Sequence, residues 1–178
     1  MLVACGSAPA ATVPTPAAET EQEPMDHGAM TDSTAPYDAQ FIDGMIVHHQ
    51  GAITMAQQVL EESERPELRA LAEAIITAQQ AEIEQMQTWR SAWYPDLAPT
   101  GGMDMDMGPM AVAEDSSTPF DIRFIDAMIP HHEGAVAMAQ DALQNAEYTE
   151  IKQLSEAIIA AQQAEIEQMQ AWREAWSE

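Results

Sequence analysis

Residues 37–93 and 120–176 align at a constant offset of 83 without a gap, and 35 of the 57 paired positions are identical. The identity is densest at the end of each copy, where IITAQQAEIEQMQTWRSAW (75–93) faces IIAAQQAEIEQMQAWREAW (158–176). The chain is therefore an internal duplication, and each copy is one supersecondary unit that cannot bury its apolar face alone. Any fold must bring two nearly alike halves together.

Each half reads as two helices. Phe41, Met45, His48, Ala52, Met55 and Val59 recur at spacings of four and three, which is one stripe of an α-helix. Arg65-Pro66 breaks the pattern, with Pro66 suited to the first position of a new helix. Leu68, Leu71, Ile75, Gln79, Ile83, Met86 and Trp93 then form a second stripe. The second copy opens on Thr118-Pro119-Phe120-Asp121, read as an N-cap Thr, a Pro at the first helical position and an acid at the third. Two such hairpins packed together predict an all-α four-helix bundle. Abundant Ala, Ile, Gln and Glu with only 6% aromatic residues agree with helices rather than sheets.

The predicted organisation is hairpin one over 36–94, a Met-rich linker over 95–118 and hairpin two over 119–178. Residues 6–35, rich in Ala, Pro, Thr and Glu, are expected to form a disordered acidic tether. Leu2-Val3-Ala4-Cys5-Gly6 resembles the lipobox at which bacterial lipoproteins are cleaved and acylated, so residues 1–5 are read as a signal remnant with lipidation at Cys5. The basic and apolar regions that should precede it are missing, which places the expected translation start upstream of Met1. Cys5 is the one cysteine, leaving no intrachain disulfide and no thiolate zinc site. Six basic residues against thirty acidic ones give a net charge of −24. That excludes nucleic acid as a partner and leaves the membrane only through an anchor at Cys5.

Four of the five histidines stand in two pairs, in HHQGAITMA (48–56) and HHEGAVAMA (131–139). On a helical wheel His48 and His49 both fall within the apolar arc, with Met45 between them. Buried imidazoles need partners, because an unpaired polar group in a core costs about 1–3 kcal/mol. Hydrogen bonds to Gln79, Gln80 or Glu82 would satisfy a lone histidine. A duplicated pair flanked by methionine points instead to metal, since neutral imidazole is the commonest metal ligand. If the hairpin turns at Arg65, His48 comes level with Glu82, and Met45 with Gln85 and Met86. Met45, His48, His49 and Met86 are then expected to converge, with Gln79 or Glu82 fixing an imidazole tautomer. The second copy offers Met128, His131, His132 and Met169 with Gln162 and Glu165. Met55 lies about 10 Å along the axis from His48. It is expected in a separate thioether layer with Met138 or as ordinary core filling.

A carboxylate di-iron bundle would need Glu-x-x-His on two helices, and no histidine lies on the second helix of either hairpin. Thioethers beside imidazoles suit soft ions, so Cu(I) is the expected metal, with Ag(I) and Cu(II) as relatives. MDMDMGPM (103–110) and MDHGAM (25–30) add Met103, Met105, Met107, Met110, Met25, His27 and Met30, read as flexible arms that capture copper because neither stretch has a core to fill. Trp89, Trp93, Trp172 and Trp176 are expected to close the bundle end. No phosphate-binding loop or nucleophile motif appears.

The paired segments FIDGMIVHHQGAITMA and FIDAMIPHHEGAVAMA, each followed by IIxAQQAEIEQMQxW, closely resemble the bacterial secreted family called domain of unknown function 305. The resemblance covers residues 37–176 and implies a ferritin-like four-helix bundle of two hairpins. Some members are associated with copper resistance in the periplasm. By position, the family motif falls on Met45, His48, His49 and Met55, and on Met128, His131, His132 and Met138. The family usually has Pro before the His pair, and Val47 departs from that, which raises unequal binding by the two halves. The expected function is non-enzymatic copper buffering or sequestration outside the cytoplasm, with a copper-handling protein as partner. Two alternatives are a ferritin-like metal-dependent oxidoreductase and a metal-free structural or partner-binding bundle.

Overall fold

The computed structural model describes residues 34–114 and 117–176. Cys5 and its lipobox, the tether through residue 33, and Met25, His27 and Met30 lie outside these described residues. The chain forms four helices, α1 (Tyr37–Glu62), α2 (Pro66–Trp93), α3 (Phe120–Asn145) and α4 (Thr149–Trp176), and no strand among the described residues. Pro66 opens α2, as its fixed φ and missing N–H favour. At α3 the boundary falls one residue later than its sequence suggests. Pro119 occupies the N-cap position in an extended conformation and Phe120 is the first helical residue.

Within each hairpin, α1 packs on α2 and α3 on α4, while the hairpins join along α1 and α3. Ion pairs and caps fix these two as antiparallel. Asp38, at the start of α1, is buried and accepts the N–H groups of Glu147 and Tyr148, at 3.1 Å each, where α4 begins. Its copy Asp121 receives Arg65 Nε at 3.1 Å, where α2 begins. Other contacts repeat with the same offset: Arg90 pairs with Asp43 and Arg173 with Asp126. Trp89 stacks on Trp93 and Trp172 on Trp176. Trp93 then stacks at 3.8 Å on Tyr148, whereas Trp176 lies under the Arg65 guanidinium at 4.0 Å. The tryptophans thus close each bundle end against the other hairpin's turn. The duplication has become a pseudo-twofold axis perpendicular to α1 and α3.

Two apolar clusters flank this axis. Phe41, Ile42, Met45 and Met86 of hairpin one join Met138, Ala142 and Ile151 of hairpin two. On the other side Phe124, Ile125, Met128 and Met169 join Met55, Val59 and Leu68. Between the clusters lie the four histidines, all fully buried.

Candidate metal centre

The helical stripe that buries Met45 and Ala52 also carries His48 inward, and the antiparallel seam brings it against its own copy. The His48 and His131 rings stack with centroids 3.7 Å apart and planes inclined by 21°. His49 and His132 flank the stack, 6.3 and 6.5 Å from their neighbours. Sequence periodicity had placed one His pair in each hairpin with its own ligands. Duplication itself held the missing signal, since a residue near a twofold axis meets its own equivalent.

Hydrogen bonds assign the tautomers. His49 Nε2 donates to Glu82 Oε2 and His132 Nε2 to Glu165 Oε2, each at 2.7 Å. His131 Nε2 donates to the His48 carbonyl at 3.1 Å. In the His49 and His132 rings this leaves the Nδ1 lone pair free, and no Nδ1 of the four histidines has a hydrogen-bond partner, although the Pro109 carbonyl is close enough to His131 to favour its protonation slightly. His48 lacks a partner at either ring nitrogen, although the His131 backbone is close enough to favour protonation slightly. Burial, and next the neighbouring imidazoles, push the His48 pKa down to about 2. Burial and then His132 push His131 down to about 4. Both rings are neutral at ordinary pH. A buried imidazole whose one nitrogen donates to a carboxylate or carbonyl while the other is bare is arranged as a metal ligand is.

Gln79 and Gln162 also face inward, with unpartnered carbonyl oxygens. The methionines are distributed differently from the expected layers. Met45 and Met86 share a cluster with Met138, and Met128 and Met169 share the other with Met55. Met55 and Met138 therefore lie on opposite sides of the axis. An antiparallel seam sends residues that follow the histidine on one helix toward those that precede it on the other. Among the described residues no three His, Cys, Asp or Glu side chains converge as a ready ligand set. A cation here would draw on imidazole together with thioether.

The 103–110 segment is no free arm. It forms a strap across α1 and α3, in which Met103, Met105 and Met107 are half-buried while Asp104 and Asp106 face solvent. Met103 and Met105 pack on one cluster and Val112 is buried in the other, so these thioethers do have a core to fill. Arg90 anchors the start through the carbonyls of Leu97 and Ala98, and Asp43 accepts the Thr100 N–H at 2.7 Å. Gly102 and Gly108 have φ of 77° and 65°, a region other residues rarely adopt. Helical glycines let the strap approach: a Cβ on Gly134 would stand 2.9 Å from the Asp106 carbonyl oxygen. Glycine inside a helix is destabilising by roughly 0.5–1 kcal/mol relative to Ala. Gly44, Gly51 and Gly134 in the inward stripes were thus a legible sign that backbone comes close.

The family model described as "Domain of unknown function (DUF305)" matches residues 10–90 and 38–173. Among solved structures, the protein CopM is 42% identical in its Cu(I)-bound form, covering 78% of this chain and 96% of that one with a TM-score of 0.67. CopM has also been solved bound to Cu(II) and to Ag, with the same TM-score of 0.67. A DUF305 protein of Streptomyces coelicolor, presumed to be secreted, is 26% identical, covering 75% of this chain and 90% of that one with a TM-score of 0.63. An uncharacterised protein, L153, of Acanthamoeba polyphaga mimivirus is 41% identical over 51 residues, or 29% of this chain and 34% of that protein.

Proposed function

The chain belongs to the DUF305 family, and from that premise we propose that it binds copper, chiefly Cu(I), and buffers or sequesters it outside the cytoplasm. The observation that carries this reading is the buried row of four imidazoles, each with a bare Nδ1. Leaving such groups unsatisfied costs about 1–3 kcal/mol apiece, a cost that coordination would offset. Neutral rings beside thioethers form a soft ligand field, and CopM, which was solved with Cu(I) and Ag, supports the choice of ion. His48, His49, His131 and His132 would coordinate. The Met45, Met86, Met138 and Met128, Met169, Met55 groups would supply sulfur from either side, and Glu82 and Glu165 would orient two of the rings. No step of bond-breaking chemistry enters this reading, so the protein is not an enzyme in it. Acylation at Cys5 would tether the bundle to a membrane, and delivery to a copper-handling partner would complete the role.

Metal titration followed by native mass spectrometry is the direct test. Replacing His48, His49, His131 and His132 together by Ala is expected to abolish the tightest binding; unchanged stoichiometry would move the function away from the core. One observation favours a second reading, a metal-free bundle: no three His, Cys, Asp or Glu side chains converge among the described residues. Protein whose melting temperature ignores Cu(I) would establish it.

A further inference from the structure

The pseudo-twofold axis makes the helices alike on both sides of the histidine stack, but the strap crosses it only once. Its contacts with the two equivalent glycine notches differ. At Gly134 the notch is sealed by peptide: a Cβ there would stand 2.9 Å from the Asp106 oxygen, 3.1 Å from the Met107 carbonyl carbon and 3.3 Å from His48 Nε2. At Gly51 the same construction meets Met110 Sδ at 3.0 Å and His131 Cε1 at 3.3 Å. Here a thioether and the edge of the His131 ring border the same notch. Cε1 joins the two ring nitrogens, and Nε2 is already committed to the His48 carbonyl, so Nδ1 is the ring nitrogen left without a hydrogen-bond partner. His131 is fully buried, while Met110 is 38% exposed. A partly exposed thioether and a fully buried imidazole therefore share one notch.

We infer that Met110 Sδ and His131 Nδ1 form a single access site for a soft monovalent cation, Cu(I) or Ag(I), through which ions reach the core from the strap side. The inference rests on the copper-binding reading and deepens it by making the two halves unequal. Their inequality arises from the strap, whichever residue precedes each His pair. Thioether and imidazole nitrogen together suit Cu(I) and give little to a hard ion.

The test uses the full chain with 13C-methyl-labelled methionine, titrated with Ag(I) as a diamagnetic probe. The first equivalent should shift one methionine methyl signal, and that signal should be absent from Met110→Leu, which keeps the apolar bulk. Met110→Leu should also weaken the first equivalent by at least about tenfold, since even outer-shell partners of a metal ligand are worth that much. Met107→Leu, whose contact with the Gly134 notch is through backbone, should leave it unchanged. A first equivalent that shifts other methionines and is indifferent to Met110→Leu overturns the access site while copper binding stands. Failure of any methionine or histidine signal to respond would sink both.

Discussion

His48 holds the least expected chemistry of any residue in the chain, a fully buried ring with neither nitrogen hydrogen-bonded. Its pKa of about 2, and that of about 4 at His131, have a consequence for the metal-free protein. Above pH 6.5 neither the folded nor the unfolded chain protonates these rings. As pH falls from 6.5 toward 4, the unfolded chain takes up protons that the folded state refuses, so stability is lost with falling pH. The slope approaches about 1.4 kcal/mol per pH unit for each ring. Protonation of surface carboxylates works the other way, because it relieves the repulsion of a net charge of −24. Thermal melts of apo protein should therefore show a fall in Tm over this window that becomes shallower in His131→Gln. An unchanged slope would mean the ring is not held neutral. At His49 and His132 the carboxylates of Glu82 and Glu165 set the tautomer. Glu82→Gln with Glu165→Gln keeps the size of both groups but lowers their power to polarise the ring. Cu(I) affinity measured against a chromogenic chelator should fall by about 10–100-fold. Affinity within experimental error of the parent would remove both carboxylates from the site.

At the scale of elements, the helices were readable because their stripes repeat at helical spacing and because Pro66 breaks one stripe from the next. The inward turn of the histidines was readable for the same reason, and the antiparallel hairpin put Glu82 beside the His pair. Two features were not. Periodicity describes one helix at a time, so it could not say that His48 would stack on His131 or that Met138 would join Met45. The strap has no helical period, and its alternation of Met and Asp resembles an unstructured tail until a surface is supplied for it. The glycines that supply this surface are predicted to differ in tolerance. Gly134→Ala drives a Cβ to 2.9 Å from strap backbone, which cannot move locally. The substitution should release the strap, seen as faster proteolysis within 100–113, and should lower Tm despite better helix propensity. Gly51→Ala meets the Met110 methyl at 2.6 Å, the free end of a flexible side chain that can swing away. It should leave the strap docked and gain up to about 1 kcal/mol from propensity. Equal proteolysis of the two variants would show that strap docking does not depend on the Gly134 notch.

For the whole molecule, the pseudo-twofold axis means that the seam between hairpins is nearly isologous. The axis relates Gly44, Met45, His48, Gly51 and Met55 to the residues at 127, 128, 131, 134 and 138, and all but one of those pairs are identical. The exception lies under the strap: a Cβ at Gly44, such as Ala127 carries, would stand 3.2 Å from the Met103 backbone nitrogen, a tight approach. The cross-hairpin caps obey the same symmetry, since Asp38 serves the start of α4 and Asp121 the start of α2. One hairpin alone would leave its cluster residues and both imidazoles in water, and none of its cross-hairpin bonds could form. A peptide of residues 36–94 therefore has one way to bury its stripe, which is against a second copy about a true twofold axis. It should sediment as a dimer, remain helical by circular dichroism, and melt at a temperature that rises with peptide concentration. The strap is absent from that dimer, and each notch would be open alike, so the two His48 rings should take up Ag(I) equivalently rather than in order. A helical monomer would be the contrary result, because it would mean that a hairpin can satisfy its own inward face and that the histidine stack is incidental to the fold.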